Sequence, residues 1–329
     1  MGRETNLLQR PVKHRVDLAK TAPQRQAGAT MPAAPITFFN RHTRQIETES
    51  VYGESFLRWA YEQPLGKVAL HTLVKSRAFS RWYGWRMDQP ASQAKIQPFI
   101  DTYGLDPTQF ADSVESFRHF NDFFYRKLKP SARPIDSAPS SLVFPADGRH
   151  LLIQDVSACD TFFVKGTRFD LAQLLGDPVL AQRFTHGDML ISRLCPVDYH
   201  RFHFPCGGVV DAPRHLNGPL FSVSPIALRH RPSILWENKR CLTALESDIF
   251  GQVLYVEIGA TCVGTIIHTA ASGCPVLKGD EKGYFRFGGS CVITLYEAGK
   301  VRWDADLQAH GREGREVYAW MGEQCGSTL

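Results

Sequence analysis

The chain has 329 residues, of which 43% are hydrophobic and 22% are charged, and its formal net charge at pH 7 is +5. This apolar content is enough for a sizeable core and excludes a chain that is disordered throughout. The modest positive charge favours an acidic partner, such as an anionic lipid surface. None of the DNA- or RNA-reading motifs occurs in the sequence, so we expect no nucleic acid partner.

The cysteines and the longest apolar runs exclude further classes. None of the eight cysteines forms a Cys-x-x-Cys pair, and their spacings fit neither a zinc site nor a small disulfide scaffold. We therefore expect a reducing compartment and no metal site. No apolar run approaches the ~20 residues that a membrane-spanning helix needs.

The first predicted segment, residues 1–35, is a basic disordered arm. It has six Lys or Arg and only two acidic residues among scattered Pro, Ala, Gln and Thr. A mitochondrial transit peptide has a similar composition and is the alternative interpretation.

The second segment, residues 36–134, is predicted to be mainly helical. Apolar spacing predicts helices at residues 51–62, 65–85, 92–103, 107–114 and 120–127. No acidic residue occurs between Glu62 and Asp88, where Lys and Arg alternate with Trp and Phe. This composition is typical of a helix in a membrane interface, and an amphipathic helix packed on its own domain is the alternative.

The third segment, residues 135–329, changes to short apolar runs broken by Gly and Pro. Strands are predicted at residues 149–156, 189–194, 208–216, 241–245, 253–258, 262–269 and 291–295, with one helix at residues 170–183. Helices followed by strands predict an α+β fold, with a helical membrane-associating region before a β-rich catalytic domain.

A Gly-Gly-Ser turn at residues 288–290 separates two of the strand-like runs. Two glycines allow backbone angles that a side chain would forbid and let other groups approach the Gly289 carbonyl closely. This geometry suits attack by the Ser290 hydroxyl on the carbonyl of its own preceding peptide. An ordinary glycine-rich hairpin turn is the alternative. Upstream, Asp147 lies in a Pro-Ala-Asp-Gly turn and His200 and His203 lie three residues apart, which completes an Asp, His, Ser set.

Six blocks in the same order give the sequence a resemblance to phosphatidylserine decarboxylase proenzymes of the branch whose cleavage motif reads Gly-Gly-Ser-Thr. The resemblance spans roughly residues 37–300, and its blocks are residues 123–135, 145–148, 196–203, 221–225, 237–240 and 288–290. It implies self-cleavage between Gly289 and Ser290 into a β chain and an α chain. It also implies a covalent pyruvoyl cofactor made from Ser290, and conversion of phosphatidylserine to phosphatidylethanolamine and carbon dioxide.

The resemblance also implies roles for the polar residues. His203 would take the proton of Ser290, because a free serine is a weak nucleophile, and Asp147 would orient His203. His200 is the candidate for acid–base work near the substrate. Arg240 and Lys278 are available to bind the lipid phosphate.

Two features near the cleavage motif depart from the family pattern. Cys291 replaces the family threonine, and a thiol is the poorer hydrogen-bonding group if that hydroxyl assists cleavage. A second Gly-Ser-Thr, at Ser327, matches the family tripeptide better but has no strand after it to hold a new N-terminus. We therefore expect cleavage at Ser290 only.

The resemblance places the protein at a phospholipid membrane surface. We expect peripheral association with the cytoplasmic face of a bacterial cell membrane, and the mitochondrial inner membrane is the alternative. A homo-oligomer is left open. The rival functions are a pyruvoyl decarboxylase of a soluble amino acid, an uncleaved serine hydrolase that uses Asp147, His203 and Ser290, and a non-catalytic lipid-binding homologue.

Overall fold

A computed structural model describes residues 35–51, 54–63, 65–66, 77–161, 169–260, 266–287 and 290–329. Most of the predicted basic arm therefore lies outside the described residues. So do residues 67–76 of the predicted interfacial helix and residues 262–265 of a predicted strand. Within the described ranges, no helix is long and apolar enough to cross a membrane.

The strands of the described residues are β1 Thr37–Asn40, β2 Gln45–Thr48, β3 Ser141–Val143, β4 Gly148–Ile153, β5 Asp188–Leu194, β6 Arg201–His203, β7 Gly208–Val210, β8 Arg214–Leu216, β9 Arg240–Ser247, β10 Gly251–Ile258, β11 Ile266–His268, β12 Pro275–Val276, β13 Glu281–Phe285, β14 Ser290–Tyr296, β15 Arg302–Trp303, β16 Glu316–Ala319 and β17 Gln324–Ser327. The α-helices are α1 Glu54–Glu62, α2 Arg77–Met87, α3 Ile96–Tyr103, α4 Phe120–Phe124, α5 Leu171–Leu175, α6 Pro178–Phe184, α7 Pro225–His230, α8 Ile234–Glu237 and α9 Ala305–Arg312.

Eleven of the described strands form one sheet in the order β12-β7-β9-β10-β14-β5-β4-β16-β1-β2, with β8 paired to β9. Neighbours in this sheet are antiparallel except β1 and β16, which are parallel. Two three-stranded sheets, β11-β13-β6 and β15-β17-β3, complete the β structure. The predicted α+β class with a large β-rich part is confirmed. The β1–β2 hairpin was not predicted, so the segment from residue 36 to 134 is not helical throughout.

Strand β14 lies in the main sheet between β5 and β10, and all seven of its residues are buried. Side chains alternate between the faces of a strand. Cys291, Ile293 and Leu295 join the largest apolar cluster, whereas Val292 and Tyr296 join clusters on the opposite face. Burial on both faces explains why this strand appears in the sequence as a nearly continuous apolar run.

Several predicted helices differ from the structure. The helix predicted at residues 120–127 ends at Phe124, and two others differ for clear local reasons. The helix predicted at residues 170–183 is two helices, because Gly176 ends α5 with φ +59° and Asp177 caps α6 in front of Pro178. The helix predicted at residues 107–114 is wrong. A single 3₁₀ turn at Pro107–Gln109 is followed by Phe110, which pairs with Leu128 in a β-bridge. Tertiary pairing has overridden helix propensity here.

The described helices before residue 130 enclose a cluster of aromatic and aliphatic side chains. Its buried members are Met87, Ile96, Phe99, Ile100, Phe110, Phe117, Phe120, Phe123, Phe124 and Phe287. Phe287 is the only one from the last third of the chain, and it lies three residues before Ser290. The helical segment therefore packs directly against the approach to the predicted cleavage site.

Candidate active site

Ser290 is the first residue of β14, at the point where the chain passes from one sheet to another. Strand β13 belongs to the small sheet with β6, whereas β14 pairs with β5 and β10 in the main sheet. Gly288 and Gly289 lie outside the described residues. Ser290 stands opposite Leu194 of β5, so a strand ladder holds the residue from which a new N-terminus would be made.

The segment before the glycines is held by polar contacts to the helical region. The Phe287 N–H donates a hydrogen bond of 2.9 Å to Asn121 Oδ1, and Asn121 Nδ2 donates one of 2.8 Å to Asp88. Arg286 forms an ion pair of 2.8 Å with the same Asp88 carboxylate. These contacts fix residues 286 and 287, which precede the predicted cleavage site, to α4 and to Asp88 directly after α2.

His200 is the imidazole that contacts Ser290. The Ser290 side chain is fully buried, and its Oγ lies 3.3 Å from Nδ1 of His200. The other ring nitrogen, Nε2, lies 2.9 Å from the Cys195 carbonyl oxygen. A carbonyl only accepts hydrogen bonds, so Nε2 carries the hydrogen and Nδ1 presents its lone pair to the serine hydroxyl. His200 is thus in the tautomer that can accept a proton from Ser290.

The loop that holds His200 is itself fixed by buried charge. The Asp198 carboxylate accepts a 2.7 Å hydrogen bond from the Cys195 N–H and a 3.1 Å bond from Arg149. Burial, together with the nearby positive charge of Arg126, lowers the pKa of His200 to about 3. His200 is therefore uncharged near neutral pH.

His203 ends β6 and faces a different partner. Its Nδ1 lies 2.9 Å from the Gly279 carbonyl oxygen, so Nδ1 carries the hydrogen and Nε2 keeps its lone pair. This Nε2 is buried and has no hydrogen-bond partner among the described residues. Burial lowers the pKa of His203, while the Gly279 carbonyl, Glu281 and Asp147 act in the raising direction. Its role as the base for Ser290 stays a prediction, because the described contact of Ser290 is to His200.

Asp147 is fully buried, and its hydrogen-bond donors are different from those around His203. Its carboxylate accepts hydrogen bonds from Arg133, the shortest being 2.6 Å, and one of 2.9 Å from the Met321 N–H. These are its hydrogen bonds within the described residues, and none comes from His203. Asp147 therefore acts on His203 through its charge, and its predicted role in orienting His203 stays a prediction.

Three other residues singled out from the sequence have well-defined surroundings. Cys291 lies in the apolar core on the strand face opposite to Ser290. The Arg240 guanidinium donates to the backbone carbonyls of Leu174 and Asn238. Lys278 donates to the Ser141 hydroxyl and to the Ala138 carbonyl. Both cations considered for the phosphate are thus engaged by the protein itself.

One cluster of metal-ligand type occurs within the described ranges. The ligand atoms of Cys241, Glu257 and His268 lie within 4.8 Å of one another. Glu257 already forms a buried ion pair with Lys282. The cluster is therefore accounted for as a neutralised carboxylate beside an imidazole, and the expected absence of a metal stays a prediction.

Sequence reasoning gave no role to three residues that the structure places near the site, namely Asn121, Phe124 and Arg126. Phe124 stacks on the His200 ring, with 3.9 Å between ring centroids. The signal that could have drawn attention to Phe124 and Arg126 is the run Phe-Phe-Tyr-Arg-Lys-Leu-Lys-Pro from residue 123, one of the six blocks of the resemblance.

The sequence is similar to those of known proteins over most of its length. The family model described as phosphatidylserine decarboxylase matches residues 120–326. A protein named phosphatidylserine decarboxylase proenzyme from Desulfitobacterium hafniense is 42% identical over 291 residues, which cover 88% of this chain and 98% of that protein. Proteins of the same name from Clostridium kluyveri and Fusobacterium nucleatum are 42% and 41% identical, over 88% and 89% of this chain and 98% and 97% of their own lengths.

A buried serine at the start of a central strand, beside an unprotonated imidazole nitrogen, defines a site for an activated serine. With these matches, the chain belongs to the phosphatidylserine decarboxylase family.

Proposed function

We propose that this protein is a proenzyme that cleaves itself between Gly289 and Ser290 and then converts phosphatidylserine to phosphatidylethanolamine and carbon dioxide. The observation that carries the proposal is the 3.3 Å contact between Ser290 Oγ and His200 Nδ1, in a chain of this family. The contact supplies what self-cleavage requires, a serine hydroxyl with a proton acceptor in reach.

Self-cleavage begins when the Ser290 hydroxyl loses its proton and attacks the Gly289 carbonyl carbon. The peptide bond becomes an ester, and elimination across Cα–Cβ of residue 290 breaks that ester. A chain ending at Gly289 and a chain beginning with a dehydroalanine result. Tautomerisation and hydrolysis then release ammonia and leave a pyruvoyl group. The ladder of β14 with β5 and β10 supports this chemistry, because it retains the new end after the bond is broken.

The site fits such a group because residue 290 is fully buried and faces a neutral imidazole. The pyruvoyl group would supply an electron-withdrawing carbonyl for the carbon that loses carbon dioxide. His200 stands beside residue 290 and is the residue that we assign to proton transfer at that carbon.

The helical segment is proposed to bring the enzyme to the lipid surface. On α2, Trp82 and Trp85 are 48% and 57% exposed, which is unusual for large aromatic side chains. The sequence between residues 62 and 88 contains basic residues and no acidic one, and the Arg86 guanidinium lies 5.4 Å from the centroid of the Trp82 ring. Exposed tryptophans with neighbouring cations favour an anionic membrane interface. We propose peripheral association with the cytoplasmic face of a bacterial membrane.

The decisive experiment is intact-mass measurement of the purified protein under denaturing conditions. The proposal predicts two chains, residues 1–289 and 290–329, the second blocked to Edman degradation. The Ser290→Ala variant should remain one chain, whereas the control Ser327→Ala should be cleaved normally. A single wild-type chain labelled at Ser290 by a fluorophosphonate would instead indicate a serine hydrolase.

A second experiment tests the lipid substrate and the membrane surface. The cleaved protein should release carbon dioxide from phosphatidylserine in mixed micelles and not from free serine. Binding to vesicles containing phosphatidylserine should fall in the double variant Trp82→Ala, Trp85→Ala, while turnover in detergent micelles stays close to wild type. Equal vesicle binding by the two proteins would remove α2 from the membrane contact.

A further inference from the structure

A cavity of about 190 Å³ lies beside the active site. Its charged lining residues are Asp106, Arg126, Arg133, Asp147 and Asp198. Residues 197–199 run directly into His200, so the cavity and the imidazole that contacts Ser290 share one loop. A cavity of this volume has room for a small polar group.

Arg126 is the distinctive residue of this wall. Its side chain is 5% exposed, and its Nε and Nη1 are buried without a hydrogen-bond partner in the described part of the chain. The guanidinium lies over the rings of Phe110 and Phe123, at 4.9 and 5.0 Å from their centroids. Burial lowers the pKa of Arg126 to about 10, which leaves it charged at neutral pH. A buried cation whose donors are unused is costly unless an anion completes it.

The buried carboxylates of the cavity are already matched. Asp147 is paired with Arg133 at 2.6 Å, and Asp198 is paired with Arg149 at 3.1 Å. Asp106 is exposed and caps its own turn through the Thr108 N–H. The buried part of the cavity wall therefore has two arginines and two aspartates, and Arg126 is the one of these whose Nε and Nη1 find no hydrogen-bond partner in the described part of the chain.

We propose that this cavity is the headgroup subsite and that Arg126 binds the phosphodiester of the lipid substrate. This inference rests on the proposed function. A guanidinium offers planar, charged donors that suit phosphate oxygens. The serine carboxylate is the less suitable ligand, because an ion pair with the carboxylate would stabilise the ground state relative to the departing carbon dioxide. Arg240 and Lys278 are occupied by backbone and hydroxyl groups, so they do not replace Arg126.

The test compares the Arg126→Gln and Arg126→Lys variants with wild type and with the control Arg118→Gln, whose side chain is 78% exposed in the same region. Calorimetry gives the Kd of full-length protein for glycerophosphoethanolamine, for ethanolamine and for inorganic phosphate. Glycerophosphoethanolamine carries the phosphodiester without the carboxylate, so it reports on the phosphodiester alone. KM and kcat are measured with phosphatidylserine in mixed micelles after complete cleavage has been confirmed by mass.

Wild-type protein should bind glycerophosphoethanolamine at least tenfold more tightly than ethanolamine. Arg126→Gln should weaken that Kd by about ten- to a hundredfold and raise KM, with kcat within about threefold. The Kd of Arg126→Lys should lie between those of wild type and Arg126→Gln, because lysine keeps the charge but lacks the planar guanidinium donors. The Kd of Arg118→Gln should match that of wild type. If Arg126→Gln does not fold, the lysine variant and the two wild-type Kd values still decide the matter.

An unchanged Kd for glycerophosphoethanolamine in either Arg126 variant would overturn the inference, as would equal wild-type affinity for ethanolamine. A raised KM with an unchanged Kd would assign Arg126 to the carboxylate instead. Inorganic phosphate that binds as tightly as glycerophosphoethanolamine, in an Arg126-dependent way, would make the cavity a free-phosphate site. Wild-type protein that binds the probe but does not decarboxylate the lipid would count against the proposed function only.

Discussion

The ring of Phe124 stacks on the ring of His200, with centroids 3.9 Å apart and planes inclined by 25°. Phe124 belongs to α4 of the helical segment, whereas His200 belongs to the β-rich part. Phe124 is fully buried and also contacts Phe287, whose ring centroid lies 4.9 Å away. One aromatic ring thus contacts both the imidazole and the approach to Ser290, so the helical segment helps to build the candidate active site.

Replacing Phe124 should therefore slow self-cleavage more than an equivalent change elsewhere in the same cluster. Phe124→Leu removes the stacked contact, and a small displacement of a catalytic group costs much of its effect. We expect cleavage to slow by about tenfold or more, measured by mass spectrometry over time. The matched control is Phe117→Leu, which removes a buried ring that packs on Phe123. Equal slowing in both variants would mean that only cluster stability matters.

Single substitutions of His200 and His203 should have different effects on self-cleavage and on turnover. Because His200 contacts Ser290, we expect His200→Gln to slow self-cleavage and to reduce kcat of any mature enzyme by about a hundredfold or more. His203→Gln should abolish cleavage if His203 is the base, as the sequence predicts. Normal cleavage in His203→Gln, together with blocked cleavage in His200→Gln, would identify His200 as the base, as its contact with Ser290 favours. The extent of cleavage is measured by intact mass after incubation of wild type, His200→Gln and His203→Gln under the same conditions.

The replacement of the family threonine by Cys291 should have little effect on cleavage. Its side chain lies in the apolar core, on the face of β14 away from Ser290. We therefore expect Cys291→Thr and its isostere Cys291→Val to cleave within about threefold of wild type. The pair is informative because the two side chains differ only in the hydroxyl. Cleavage accelerated tenfold by threonine and not by valine would show that the hydroxyl assists the reaction.

Acid sensitivity should come in part from His150, which is fully buried against Ser192. Burial lowers its pKa to about 3, so folded protein holds it neutral while the unfolded chain binds a proton below about pH 6.5. The contribution of His150 to the free energy of unfolding is thus present at neutral pH. It is lost progressively as pH falls from about 6.5 toward the folded-state pKa of about 3. We expect a slope of about 1.4 kcal/mol per pH unit between about pH 5 and 6.

This slope is best measured as a difference. Urea denaturation of uncleaved Ser290→Ala protein, with and without His150→Gln, cancels the groups common to both chains. These include Asp188 and Asp198, whose pKa values burial raises and whose effect therefore has the opposite sign. Parallel pH profiles for the two proteins would contradict the assignment to His150.

What the sequence determined by itself is mostly local. The α+β class, the strand after residue 290 and the long central strands β4, β5, β9 and β10 follow from apolar patterns that act over a few residues, and the structure confirms them. Short strands such as β1, β2, β3 and β6 were not predicted. The family was also readable from short blocks in a fixed order. The predicted bounds of an element were wrong where a local pattern competed with a distant pairing partner. Phe110, for example, pairs with Leu128 in a β-bridge and does not belong to a helix.

Only the tertiary structure decided which polar groups meet. His200 and His203 are three residues apart in sequence, yet only His200 contacts Ser290, because the chain enters β6 between them. Asp147 is paired with Arg133, although the sequence suggested His203. Such contacts join segments up to 90 residues apart. They depend on how sheets and helices pack, which the spacing of residues along the chain does not encode.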